Sequence, residues 1–130
     1  MTFKKNKYQI IRQAISSELA KFCHDYFLLK KKVVAHMFEK KYISPYNTSF
    51  GTFSDPQVPN SFAQYADTVM ETLLLNVQEK MEKETDLKLI PTYSYARVYV
   101  KGNKLARHKD RPSCEISTTI NLGGDVWPIY

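Results

Sequence analysis

A chain of 130 residues that is 43% apolar and 25% charged can bury the core of one domain and is not the composition of a disordered segment. No apolar run approaches the roughly 20 residues of a spanning helix, and Arg12, Glu18, Lys21 and Asp25 interrupt the stretch a secretory leader would need. Cys23 and Cys114 lie far apart with no CxxC spacing, which predicts free thiols in a reducing cytoplasm. The net charge of +6 is uneven: residues 1–41 hold ten Lys/Arg against three acids, and residues 42–130 nine against ten. A basic third can contact nucleic acid, but no nucleic-acid-binding motif accompanies it, and a solvated helix face is the expectation.

In chain order, Tyr8–Leu29 reads as an amphipathic helix, with Ile11, Ile15, Leu19, Phe22 and Tyr26 on one face. Lys30-Lys31-Lys32 either ends it or bridges to a second helical piece, Val33–Lys41. Ser44–Pro59, with three prolines and Gly51, is a loop. Asn60 or Ser61 then caps a second helix whose apolar face is Phe62, Ala66, Val69, Leu73, Val77 and Met81, ending near Thr85-Asp86.

From Leu87 the period changes from helix to strand. Leu87–Ile90 is a short candidate strand broken by Pro91. Tyr93 to Val100 alternates, with Tyr93, Tyr95, Arg97 and Tyr99 on one face. Lys101–Lys104 is a turn, Leu105–Asp110 an extended segment, and Cys114–Leu122 a further strand with Cys114, Ile116, Thr118, Ile120 and Leu122 on one side. Gly123-Gly124 turns the chain, and a strand begins at Trp127 and runs to Tyr130. Helices followed by successive antiparallel strands define an α+β class in which helices back a sheet.

His108-Lys109-Asp110 is the candidate metal-binding feature. Residues two apart on extended backbone share a face, so an imidazole and a carboxylate can reach one divalent ion. The mixed N/O set suits Fe(II) in a facial triad that leaves positions open for cosubstrate and oxygen. The tripeptide alone has little specificity, since Arg107, Lys109 and Arg111 also suit a plain surface turn. His24 and His36 sit in the helical region, where a lone histidine is ordinarily a surface residue. Cys114 reads as a small core residue.

Its surroundings add the specificity. The stretch Tyr95-Ala96-Arg97-Val98-Tyr99-Val100-Lys101-Gly102-Asn103-Lys104-Leu105-Ala106-Arg107-His108-Lys109-Asp110, followed by Cys114-Glu115-Ile116-Ser117-Thr118-Thr119-Ile120-Asn121-Leu122, resembles the core of the prolyl-4-hydroxylase-like 2-oxoglutarate/Fe(II)-dependent dioxygenases, in particular their phage and bacterial branch. The resemblance covers about residues 87–122. It implies a double-stranded β-helix, or jelly roll, with 1–86 as support helices and loop and 87–130 as its first strands. By position it implies His108 and Asp110 as iron ligands and Tyr99 as a 2-oxoglutarate contact, with Tyr95 and Arg97 (and, more weakly, Tyr93, Thr119 and Asn121) beside the same pocket.

The implied cofactor is Fe(II), with 2-oxoglutarate as cosubstrate and ascorbate as the usual reductant that keeps iron active. The implied reaction hydroxylates a C–H bond of a peptide, such as a peptidyl proline, or of a small molecule, in the cytoplasm of a bacterium or its phage-infected state. Neither nucleic acid nor membrane is an expected partner. The family's distal histidine and the Arg or Lys beyond it have no counterpart after His108. The single domain is therefore expected to be incomplete at its C-terminal side, as a fragment or as half of a split protein, with an unfinished jelly-roll sheet and little activity as it stands. Two non-catalytic alternatives remain: a basic module binding nucleic acid through residues 1–41, or one that pairs with a partner chain through the open sheet.

Overall fold

The computed structural model describes residues 2–128, which form an α+β arrangement of two long helices against a two-stranded antiparallel sheet. A single helical turn, α1 (Phe3–Asn6), opens the chain and stops where Lys7 turns left-handed. Residues 8–15 are irregular, contrary to the expected helix start at Tyr8. The long helix α2 spans Ser17–Glu39, and Ser16 sets its start: the Oγ accepts from the Leu19 amide at 3.1 Å. The lysine triplet neither ends nor bridges it. Lysine is a good helix former, and Lys30 finds a buried partner, so one helix runs through to Glu39.

The buried stripe of α2 also differs from expectation. Cys23, Phe27 and Val34 are buried, with Ile15, Leu19 and Tyr26 packed beside them, whereas Phe22 remains 64% exposed. Ile15, Leu19 and Tyr26 of the expected face thus do pack against the core, Phe22 does not, and the most buried positions, Cys23, Phe27 and Val34, lie beside that face.

The Ser44–Pro59 segment is a loop, pinned by one isolated bridge between Thr52 and Ala63. The next segment corrects the expected second helix. Phe62–Tyr65 is a strand, β1, and the helix α3 begins only at Thr68 and ends at Thr85. Neither Asn60 nor Ser61 caps it; Asp67 does, accepting from the Val69 and Met70 amides at 2.9 and 3.1 Å. Ala66 stands between strand and helix with φ +54, a left-handed residue that breaks the backbone path. The periodic apolar run through Phe62 misleads because Ser61, Phe62, Ala63 and Gln64 are buried alike, as in a strand with neighbours on both sides. The row Val69–Leu73–Val77–Met81 does face the core, with Met70 beside it. Asp86, left-handed, closes α3 by donating its amide to the Glu82 carbonyl at 2.9 Å, at the place the sequence predicts.

Strand β2 (Tyr95–Val98) pairs antiparallel with β1, with Phe62 opposite Val98 and Tyr65 opposite Tyr95. Its inner residues Ala96 and Val98 pack against the core, and the other face carries Tyr95 and Arg97, matching the predicted alternation. The core itself is centred on Phe62, whose ring lies 5.2 Å from Phe27 and 4.9 Å from Phe53.

Beyond β2 the ladder stops among the described residues. Leu87–Ile90 before it and Leu105–Asp110 after it are irregular, and the expected strand Cys114–Leu122 starts inside a 3-10 turn, Pro112–Cys114. The backbone hydrogen bonds after β2 are local, the Asn103 amide donating to the Val100 carbonyl and the Cys114 amide to the Arg111 carbonyl. The alternation survives only in part without the ladder: Cys114, Ile116, Ile120 and Leu122 are half-buried while Glu115, Ser117, Thr119 and Asn121 are exposed, but Thr118, expected on the inner side, is exposed as well. The strand expected from Trp127 shows irregular backbone at Trp127 and Pro128, and its last two residues lie outside the described range. No helix among the described residues is long and apolar enough to cross a membrane.

Candidate metal centre

His108 and Asp110 lie on the extended segment after β2, and the structure brings their side chains together. The His108 Nε2 is 3.2 Å from Asp110 Oδ1, and His108 Nδ1 is 2.9 Å from the Ala106 carbonyl oxygen. A carbonyl can only accept, so Nδ1 carries the proton in that contact. The neutral ring then points its Nε2 lone pair at a carboxylate oxygen, and two acceptors at 3.2 Å repel each other. A proton on Nε2 turns the contact into an ion pair, and a cation held by both atoms removes the repulsion equally well. Cis ligands with bonds of about 2.1 Å sit roughly 3 Å apart, close to the distance found.

The supporting contacts suit ligation. A carbonyl on the far nitrogen fixes ring orientation, as for most metal-bound histidines. Asp110 is likewise oriented: Ser117 Oγ donates to its Oδ2 at 2.9 Å and lies 3.1 Å from the Cys114 carbonyl. Sequence reading missed Ser117, although it lies within the strand tied to the family resemblance. Both side chains are partly open to solvent, at 37% and 49%. Among the described residues no third His, Cys, Asp or Glu joins the pair.

The other predicted site residues gather elsewhere. Tyr95 and Arg97 converge on Asp55, which arrives from the loop some 40 positions earlier: the Tyr95 hydroxyl and Arg97 Nη2 both donate to Asp55 Oδ2, the latter at 2.9 Å. Arg97 Nη1 also donates to Ser61 Oγ at 2.9 Å, Nη2 to Gln57 Oε1 at 3.3 Å, and its side chain is only 7% exposed. Burial opposes charge on Asp55, but hydrogen bonds from Tyr95 and the Gln57 amide, with the Arg97 charge, keep its carboxyl below the usual range. Partial burial and the bond to that carboxylate push the Tyr95 hydroxyl up to about 12. This cluster ties the 44–59 loop to β2, and Asp55 gave no sign of it in sequence.

Tyr99 stands apart from Asp55. Its ring lies 5.0 Å from Trp127 and 5.8 Å from the Arg97 guanidinium. Tyr93, predicted on the same face, stacks at 5.1 Å on Tyr65, and its hydroxyl accepts from the Cys114 thiol at 3.0 Å. That contact first, then burial, raises the Tyr93 hydroxyl above its ordinary value. Cys114 is thus half-buried and engaged. No hydrogen bond among the described residues joins the His108–Asp110 pair to Tyr95, Arg97 or Tyr99. His24 contacts Asp25 at 3.0 Å and is covered by Gly123, and His36 stacks edge-on to Tyr42, so neither is near a second ligand set. No family model, curated protein or solved structure matches this chain.

Proposed function

We propose that His108 and Asp110 are two of the three iron ligands of a 2-oxoglutarate/Fe(II)-dependent dioxygenase that hydroxylates a C–H bond of a peptide or small molecule. The observation that carries this reading is the facing pair, His108 Nε2 and Asp110 Oδ1 at 3.2 Å, each oriented from behind by Ala106 and Ser117. When bound, iron supplies the oxygen chemistry that couples decarboxylation of 2-oxoglutarate to hydroxylation.

The chain's own residues bind and orient. The Ala106 carbonyl holds the proton on His108 Nδ1, so that Nε2 is free to ligate. Ser117 holds Oδ2 of Asp110 and turns Oδ1 toward the histidine. Tyr99, whose hydroxyl has no hydrogen bond among the described residues, is the side chain for the cosubstrate carboxylate. Tyr95 and Arg97, anchored on Asp55, fix the strand that presents it. In this reading β2 and the half-buried alternation of Cys114–Leu122 belong to the first strands of a jelly roll, and a histidine outside this pair completes the triad.

The test is anaerobic titration with Co(II), a spectroscopically visible stand-in for Fe(II). Wild type should bind one ion, and His108→Ala and Asp110→Ala should each weaken binding at least tenfold. Equal affinity in all three would refute the site. Succinate formation from 2-oxoglutarate with Fe(II) tests the reaction separately.

A further inference from the structure

The C-terminal end of α2 and the loop after it form an open groove of about 860 Å³, lined by Phe38, Lys41, Tyr42, Ile43, Pro45 and Tyr46 among others. Two of its rings face water to an unusual degree: Tyr46 is 90% exposed and Tyr42 71%. Neither hydroxyl has a hydrogen-bond partner among the described residues. Exposed rings gathered along one groove form the kind of contiguous patch that marks an interaction surface, and the backbone that carries them is hydrogen-bonded. The Tyr46 amide donates to Ser44 Oγ at 3.2 Å, the Ser49 amide to Asn47 Oδ1 at 2.8 Å, and buried Gln64 donates to the Ser49 carbonyl at 3.1 Å. The loop backbone therefore needs little further ordering on binding.

The charge around them is mostly positive, with Glu39 as the acid that precedes Lys40 and Lys41. From Lys40 to Ser54 there is no Asp or Glu, and the next acid, Asp55, is turned to Arg97 and Tyr95. Of the ten Lys/Arg in residues 1–41, only Lys4, Lys21 and Lys30 have a carboxylate within 4 Å among the described residues. Lys41 is also held in an uncommon backbone state. It occupies the left-handed position after α2, φ +59, with its amide on the Phe38 carbonyl and the Tyr42 amide on the Met37 carbonyl. Glycine is the favoured residue there, yet this chain places a long cation at the groove's edge.

Exposed rings on a hydrogen-bonded loop beside lysines with no carboxylate within 4 Å among the described residues match one ligand chemistry: planar groups strung on a polyanion. We propose that this groove binds single-stranded nucleic acid, with bases stacking on Tyr46 and Tyr42 and phosphates paired with Lys41 and Lys40. A duplex is a poorer fit, because its bases already stack on each other and offer no free face. An acidic peptide satisfies the lysines but gives the rings nothing to stack on. The proposal is independent of the dioxygenase reading, whose residues lie on other segments.

The experiment is fluorescence anisotropy with a labelled dT12 strand at 50 and 200 mM salt. Saturable binding that weakens with salt is expected, with Tyr46→Ala lowering affinity about tenfold or more and Tyr46→Phe leaving it unchanged. Replacing Lys40 and Lys41 together by Gln should make the log–log salt slope shallower by about 0.7 for each phosphate left without its lysine. Tyr46 is solvent-exposed, so an unchanged far-UV spectrum will show that the variant is folded. The proposal is overturned by absence of saturable binding, by indifference to Tyr46→Ala, by equal affinity for duplex, or by equally effective displacement with polyglutamate.

Discussion

Asp67 is the most consequential polar residue in the fold, and replacing it by Asn tests how the two long helices are joined. Its side chain is 0% exposed and does two jobs. Oδ1 caps α3 through the Val69 and Met70 amides, and Oδ2 accepts from both the Lys30 ammonium and the Tyr26 hydroxyl of α2. Asn keeps an oxygen for the cap, which alone is worth about 1 kcal/mol. It removes the charge that balances Lys30, whose side chain is only 19% exposed. Breaking one side of a buried ion pair costs about 3–5 kcal/mol, and the partial exposure of Lys30 argues for the lower end, about 3 kcal/mol.

The pH dependence has a definite sign. Burial opposes ionisation of Asp67, but the bonds from Lys30, Tyr26 and the Met70 amide outweigh it and lower the carboxyl below its unfolded value near 3.8. A lowered folded value stabilises fully above the unfolded one and is lost as pH falls through the folded one. Urea unfolding followed by circular dichroism should therefore show wild type ahead of Asp67→Asn by about 3 kcal/mol at pH 7, and the gap should close below about pH 4. A difference under about 0.5 kcal/mol at pH 7, or a gap that widens in acid, would refute the assignment of this pair as the helix–helix tie.

Three further outcomes follow from the packing and the two sites. Phe62→Ala removes a fully buried ring between Phe27 and Phe53 and should cost about 3–5 kcal/mol in the same urea assay. Ser117→Ala should weaken Co(II) binding about tenfold while Ser117→Thr retains it, because only the hydroxyl to Asp110 Oδ2 is at stake. Lys41→Gly relieves a left-handed lysine and should raise stability by about 1 kcal/mol, seen as a melting temperature a few degrees higher, while dT12 binding weakens. A lower melting temperature, or stronger binding, would contradict the trade of stability for charge at that position.

The helices were legible to the extent that their signals are local. The α3 row Val69–Leu73–Val77–Met81 and its end at Asp86 are as read, because spacing and a terminal turn are properties of neighbouring residues. Its start was misplaced because two adjacent segments share an apolar pattern and only pairing separates them. Phe62–Tyr65 is a strand because Thr52 and β2 flank it, contacts 11 and about 33 positions away that no window along the chain contains. The face of α2 was legible only in part for the same reason: Leu19 and Tyr26 pack as read, but Cys23 and Phe27 are buried by what α3 and β1 bring to them.

The candidate sites divide along the same line. His108 and Asp110 could be paired by eye because extended backbone puts alternate side chains on one side, and that rule needs no tertiary information. The role of Arg97 could not, since its carboxylate partner is Asp55 from a loop whose sequence shows only turn chemistry. Cys114–Leu122 makes the limit explicit. Its alternation predicted a strand, and its apolar members Ile116, Ile120 and Leu122 are half-buried while Thr118 is exposed, yet no ladder forms there among the described residues. Alternation in sequence thus reports which side chains leave water, whereas a strand also needs a neighbour with unpaired amides and carbonyls. The first is written in the segment itself and the second is supplied, or withheld, by the rest of the fold.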